Sequence, residues 1–317
     1  MATVTAGSTP ATRRREPASR RRDPAGARRR EALAAYAFAL PFLVLFAVFT
    51  VGPVIASFAM SFTDMRSADV RSPLAVAPVG VDNYTKVLKD ETFHQAAFNT
   101  GYFVLIGVPL TMVLALAVAV GLNSGITRFR TFFRVGFYLP VVTSIVAIAV
   151  VWRFLLEPDS GLVNTVLGYV GIDGPAWLRS TTWAMPSLIV MAAWRNMGSL
   201  VIIFLAGLQT VPREMHEAAA IDGAGAWGRF RYITLPALRP TLLFGAVITG
   251  IGYLQFFEEP FVMTRGGPLD KTLSAAYYTY NQFGFGNYSY AAAMAYVLFV
   301  AIVLLTLIQF KVLGDRD

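Results

Sequence analysis

The sequence predicts an all-α polytopic membrane protein with six spans, on three observations. Of its 317 residues, 56% are hydrophobic and only 15% charged, where a soluble domain carries about 25% charged residues. The apolar residues come in long unbroken blocks, and about 20 in a row are what a helix needs to cross the hydrocarbon core. Lysine and arginine are shared unevenly between the connecting segments, as in chains threaded through a bilayer. Length alone admits two soluble domains, but the composition overrides that prior.

Residues 1–31 read as a disordered, Arg-rich cytoplasmic tail and residues 32–317 as the six-span domain. Nine arginines stand in triplets at 13–15, 20–22 and 28–30, mixed with Pro, Ala, Ser and Thr and without a hydrophobic pattern. Such a segment cannot bury enough apolar surface to fold. Its expected partner is anionic membrane lipid. Because the net charge of +8 is concentrated there, nucleic acid is not expected. The apolar run that follows, residues 33–62, is twice the length of a signal-peptide core, so it is expected to be retained as the first span.

The other blocks are residues 96–122, 135–154, 184–208, 242–261 and 291–310. Spans two and four carry Gly101, Gly107, Pro109, Pro186, Gly198 and Gly207, which permit close helix packing and kinks. With the N-terminus inside, the inner segments hold 18 Lys and Arg and the outer segments seven, so both termini are expected to be cytoplasmic. The outer segments are then 63–95, 155–183 and 262–290, rich in Gly, Pro, Asn, Tyr and Trp.

Several chemistries are excluded at this stage. The chain has no cysteine, so disulfide and thiolate chemistry are ruled out. His94 and His216 lie in separate polar segments without clustered carboxylates, so no metal site is expected. No span carries a nucleophile–base set, and no GxxxxGK[ST] phosphate loop occurs, so the chain is not expected to be an enzyme.

The most informative stretch is the inner segment 210–240 between spans four and five. Pro212 suits a helical first turn, and good helix formers continue to Asp222. Met215, Ala218, Ala219 and Asp222 share one face, while Glu214, Glu217 and Ile221 share another. Gly223 is placed to end this helix in the left-handed region. A second short helix is expected over about 226–233, until Pro236 breaks it. A helix–glycine turn–helix of this outline is either a docking element or an amphipathic connection.

Glu217-Ala218-Ala219, Gly223 after three more residues, then Ile233, Leu235 and Pro236 resemble the EAA signature of ABC importer permeases. The resemblance implies that this element is a cytoplasmic coupling helix seated in a cleft of an ATP-binding subunit. Its contacts would be made by Glu217, Ala218, Ala219, Asp222, Gly223, Ala224, Leu235 and Pro236. The likeness runs from the first span to the last. Asn99-Thr100, Tyr138-Leu139-Pro140, Trp152, Gly161, Asn164 and the run 206–209 leading into Pro212 are similar to the carbohydrate-uptake branch, maltose-type subunits above all. So is Thr264-Arg265-Gly266-Gly267-Pro268, followed by Thr272 and Tyr280. The resemblance implies a bacterial plasma-membrane complex: a second permease subunit in a heterodimer, an ATPase dimer that uses ATP and Mg, and an extracellular solute-binding protein delivering a di- or oligosaccharide. No cofactor is expected in this chain itself.

Candidate substrate-path residues follow from membrane energetics. Arg195 lies mid-span beside Trp194 and Asn196, where a charge must face the bundle interior. Span five offers Tyr253, Gln255, Glu258 and, next to it, Glu259. Arg195 with either glutamate makes an ion pair on one reading. On the other, these residues form a sugar-contact surface of ring faces and planar polar groups. A permease for glycerol phosphate or another polar solute stays open. An ion-coupled carrier is disfavoured by the scarcity of intramembrane carboxylates.

Overall fold

A computed structural model describes residues 24–72, 76–124 and 130–314. The described residues form helices and turns, with one isolated bridge between Thr63 and Pro78. Two compact units separate, residues 1–56 and 57–317.

Helix α1 (Pro24–Phe46) passes through a widened π-turn at Ala47–Val51 into α2 (Gly52–Met60), within which the first unit ends. Pro53 explains the widening. It has no N–H, and its ring crowds the carbonyl of Phe49, so the ladder loosens one turn earlier. Because α1 begins at Pro24, residues 24–31, read from the sequence as tail, lie in its first turns. Residues 1–23, with the other two arginine triplets, lie outside the described residues. The apolar residues Leu40, Phe42 and Phe46 are exposed, which suits a helix solvated by lipid.

The second unit is built around two long helices. The short α3 (Asp82–Val87) precedes them in the chain. The first long helix, α4 (Glu91–Ser124), has 34 residues and is therefore about 50 Å long. Next come α5 (Arg130–Val142), α6 (Ile145–Leu155) and the short α7 (Leu162–Tyr169). The second long helix, α8 (Ala184–Gln209), is the most buried element. Phe103 and Val108 of α4 meet Leu188, Ile189 and Met191 of α8 at one level. Ala115 and Ala119 meet Leu200, Val201 and Phe204 at the next.

After α8 come α9 (Arg213–Ile221), α10 (Ala226–Arg229), a π-turn at Phe230–Thr234 and α11 (Leu235–Ala237). The chain then forms α12 (Arg239–Leu254), α13 (Glu258–Met263), α14 (Ala275–Gly284) and α15 (Tyr288–Leu313).

Among the described residues, four helices are long and apolar enough to cross a membrane, and six spans result if each of two bent pairs counts as one. The bent pairs correct the sequence reading. Span three, expected as one helix over 135–154, turns by 105° between Val142 and Ile145. The Thr143 hydroxyl takes the carbonyl of Leu139 at 2.8 Å, and Ser144 leaves the helical region at ψ 125°. Span five, expected over 242–261, ends at Leu254, and the chain breaks before α13. Pro236 does not end the second short helix. The π-turn before it absorbs its ring, and the 67° bend falls at Leu238.

Small residues set the helix approaches. A Cβ on Gly198 would overlap the carbonyl oxygen of Phe137, so α5 and α8 touch backbone to side. Gly207 lies against Thr241 and Leu238, and Gly107 against the Tyr253 ring. Gly101 faces open space and is not a packing glycine within this chain.

At the end of the bundle opposite α9, Asp90 joins three elements. Its carboxylate accepts from the hydroxyls of Tyr278 at 2.8 Å and Tyr290 at 2.6 Å, and from the amides of Thr92 and Phe93. Burial pushes the carboxyl up, but the two tyrosine hydroxyls and the two amides outweigh it, so its pKa lies below the usual carboxylate range.

Two predictions follow from packing and charge. Gly198→Leu forces α5 off α8 and should destabilise the detergent-solubilised protein by about 1–3 kcal/mol, read as a lower melting temperature; an unchanged melt refutes the contact. For Asp90, a depressed folded pKa gives stability that is complete above about pH 4 and is lost as pH falls through the folded value. Asp90→Asn should flatten that acid limb, and identical acid limbs in both proteins would remove the tie.

Candidate functional site

A cavity of about 330 Å³ opens between α8, α12 and α13. Arg195, Asn196, Ser199 and Ile203 line it from one stripe of α8, with Ile248, Thr249, Gly252 and Tyr253 opposite on α12. Gln255, Glu258 and Glu259 close it from the break between α12 and α13. Five of the six sequence candidates therefore converge: Arg195, Asn196, Tyr253, Gln255 and Glu258.

Trp194 does not line the cavity. A helix turns by about 100° per residue, so Trp194 faces away from Arg195 and packs on Trp152, ring centroids 5.8 Å apart. Glu259, set beside Glu258 in the sequence, proves the more deeply buried of the two, at 4% exposure.

The break that places the glutamates has a chemical cause. Pro260 has no N–H to give the carbonyl of Phe256, and the hydroxyl of Ser274 donates to that oxygen instead, at 2.7 Å. The helix restarts at Glu258 with Pro260 in its first turn, where the missing donor costs nothing.

Tyr253 is held rigidly. Its hydroxyl meets Thr111 Oγ1 at 2.8 Å, Thr111 donates on to Gly107 O at 2.7 Å, and the ring packs edge-on to Phe103. Phe103 in turn stacks flat on Phe256, centroids 3.9 Å apart.

Arg195 makes no ion pair. Its Nη1 donates to Asn196 Oδ1 at 3.3 Å, and Asn196 donates to Ala192 O. The ion pairs among the described residues are Lys86–Asp82 and Arg179–Glu157, both on connecting segments. The ion-pair reading of Arg195 with Glu258 or Glu259 is therefore set aside. Arg195 Nε and Glu259 Oε2 are buried without partners.

At the other end of the bundle, α9 closes in a glycine turn. Gly223 has φ +82°, its amide donates to Ala220 O at 3.1 Å, and the Ala224 amide donates back to Ala219 O at 2.8 Å. Pro212 precedes the helix with ψ 135° rather than entering its first turn. Glu217, Ala218, Asp222 and Gly223 are exposed, while Ala219 and Ala224 are half-buried. Ile221 at 87%, Trp227 at 71% and Tyr232 at 76% exposure leave an apolar surface uncovered around the turn. Leu235 is half-buried and Pro236 exposed on the path back to α12.

Two further sets of sequence motifs come together in space. Asn99 Nδ2 donates to Asp270 O at 2.7 Å and to Leu273 O at 2.9 Å, and Thr100 accepts from the Ala275 amide. Thr272 bonds Thr264 at 2.6 Å and donates to Gly267 O at 2.8 Å, closing the 264–272 loop on itself. Asn164 Oδ1 accepts from Trp177 Nε1 at 2.6 Å, and a Cβ on Gly161 would strike the Glu157 carbonyl. Among the described residues no cluster of His, Asp or Glu is suited to hold a metal ion.

A bundle of apolar helices with a polar, charged cavity open between its spans, a structured loop end and an exposed turn at the other, fits a multi-pass membrane transport protein. A family profile described as "Binding-protein-dependent transport system inner membrane component" matches residues 107–316, and the chain belongs to that family of ABC importer permeases. It is 34% identical over 287 residues to the lactose transport system permease protein LacF of Rhizobium radiobacter, covering 89% of this chain and 94% of that protein. It is 30% identical to the trehalose/maltose transport system permease protein MalF of Thermococcus litoralis, covering 89% and 94%. A crystal structure of a bacterial ABC transporter that imports the acidic polysaccharide alginate superposes with a TM-score of 0.71 at 25% identity, over 92% of this chain and 99% of that one.

The Asn99 tie yields a prediction. Asn99→Asp turns a double donor into an acceptor facing two carbonyls, at about 1–3 kcal/mol for each partner left open. The 264–272 loop should become protease-sensitive in the purified protein. Unchanged cleavage would mean that the loop holds itself.

Proposed function

We propose that this chain is the translocating permease subunit of an ATP-driven importer for a di- or oligosaccharide, without ATPase activity of its own. The observation that carries the reading is the cavity between α8 and α12. Inside an otherwise apolar bundle it presents a guanidinium, two amides, two carboxylates and a tyrosine ring. Charged groups at this depth are retained where they serve a solute pathway, and amides beside an aromatic ring suit sugar hydroxyls and ring faces. The relatives named for lactose and for trehalose/maltose support the sugar class. A phosphate-bearing solute fits less well, because two carboxylates face the single guanidinium.

In this reading the α9–α10 turn is the coupling element. Glu217, Ala218, Ala219, Asp222, Gly223 and Ala224 enter a cleft of an ATPase subunit, and Leu235 and Pro236 carry the motion into α12. The exposed Ile221, Trp227 and Tyr232 are what such a partner would cover. The complex contains an ATPase dimer, which uses the ATP and Mg, and a second, different permease subunit. An extracellular binding protein docks at the end carrying the 264–272 loop. A relative of known structure was crystallised with its alginate-bound periplasmic protein, which supports that partner. Both termini lie in the cytoplasm, supported by the basic residues Arg213, Arg229, Arg231 and Arg239 around α9.

The test is uptake by the reconstituted complex. Glu217→Lys reverses the charge of the docking helix. Gly223→Pro imposes φ near −65° where the turn needs +82°. Each should lower ATP-dependent uptake at least about tenfold, the equivalent of 1.4 kcal/mol of coupling, while membrane insertion stays normal. Full accumulation of labelled sugar in both variants would overturn the assignment.

A further inference from the structure

The cavity holds two buried polar atoms that nothing in the chain satisfies, Glu259 Oε2 and Arg195 Nε. Both residues line the same space. A desolvated acceptor and a desolvated donor left open are each unfavourable, so a site that holds both open is arranged for a guest that closes both. A polyhydroxylated ring does this with two groups. One hydroxyl donates to the carboxylate, and a second hydroxyl or the ring oxygen accepts from the guanidinium. The two residues are positioned separately. Arg195 is held toward Asn196 on α8, and Glu259 rides on α13, whose position Pro260 and the Ser274–Phe256 bond determine.

We propose, resting on the saccharide-permease reading, that Glu259 and Arg195 are the specificity-determining pair of this cavity and select uncharged sugars over acidic ones. The charge count gives the direction. Glu258 and Glu259 already stand beside the one guanidinium of the lining, so a uronate would bring a third carboxylate next to the buried Glu259. The neutral sugar closes both open atoms and adds no charge. Losing a charged hydrogen bond of this kind weakens binding about 10- to 100-fold.

The experiment uses nanodiscs holding this chain with its partner permease and ATPases but no binding protein, so the binding protein's own selectivity does not enter. Lactose, maltotriose, arabinotriose and trigalacturonate are titrated by calorimetry. The wild-type complex should bind at least one neutral probe and reject trigalacturonate. Glu259→Gln should weaken the neutral probe at least about tenfold and make trigalacturonate binding measurable where the wild type shows none, an absolute gain that a misfolded protein cannot show. Arg195→Lys keeps the charge but lacks Nε, and should weaken the neutral probe likewise. Wild-type affinity in both variants, or trigalacturonate binding as well as the neutral sugars, overturns the pair while leaving the permease reading intact. Failure of the complete system, binding protein included, to take up any saccharide would instead overturn the permease reading and this proposal with it.

Discussion

Hydrocarbon offers no water to an open backbone N–H or C=O, and this constraint orders the whole chain. It makes every span a helix, and it requires each interruption of a helix to be satisfied from within. At the α12–α13 break the orphaned Phe256 carbonyl is taken by Ser274, and the Gln255 amide turns back to Gly252 O. At the bend between α5 and α6, the Ile148 amide reaches Ser144 O at 3.0 Å. At Leu238 the bend keeps its bonds on both sides, to Thr234 O and from the Leu242 amide. The breaks are therefore stable features of the fold, and one of them carries the glutamates into the cavity.

Close approach around α8 is the second condition for the cavity. Without an aqueous driving force between spans, packing quality decides association, and here it rests on missing side chains. Gly198 admits α5, Gly207 admits the start of α12, and Gly107 on α4 makes room for Tyr253. The last of these links packing directly to the site. The Tyr253 ring is pressed into α4, and its hydroxyl is held by Thr111 one turn further along. The tyrosine thus reaches the cavity as a fixed wall rather than a free rotor.

Much of this was legible in the sequence. Block length and hydrophobicity locate the spans, because the bilayer imposes a length that no local preference overrides. The turn at Gly223 was legible because a glycine directly after a run of helix formers takes the left-handed conformation that closes the last turn. The convergence of Arg195, Asn196, Tyr253, Gln255 and Glu258 followed from the rule that charge in a span faces inward. What escaped were the breaks. Hydropathy is blind to a hydroxyl that competes for a carbonyl, so Thr143 and Ser274 gave no signal on their own. Pro260, two residues past Glu258, was the one local cue that span five ends early. The orientation of Trp194 was likewise lost by naming neighbours together, although consecutive helical residues diverge by about 100°. Pro236 misled in the opposite direction, because a π-turn accommodates a proline as well as a break does.

The mechanics of the proposed importer follow from how the two ends are joined. From Arg239 to Tyr253 the chain is one uninterrupted helix, with about 21 Å of rise between the two residues. Force applied at the α9–α10 turn passes through α11 to Leu238, which is fully buried among Leu205, Leu208 and other residues at the foot of α8. The foot of α8 and the start of α12 therefore move as one contact, tightened by Gly207 against Thr241. At the far end Tyr253, Phe256 and Met263 share one core with Met185, Leu188 and Ile189 of α8, but the helical ladder itself is interrupted between Leu254 and Glu258. In the proposed importer, a tilt entering at α9 would be taken up at this interruption, residues 255–257. That is where the cavity closes and where Gln255, Glu258 and Glu259 stand. Hinges fall at element ends that can take up a change in φ and ψ, and in the proposed importer the hinge and the solute contacts would occupy the same few residues. A solute held by those side chains would feel the nucleotide cycle directly, without a relay through the rest of the bundle.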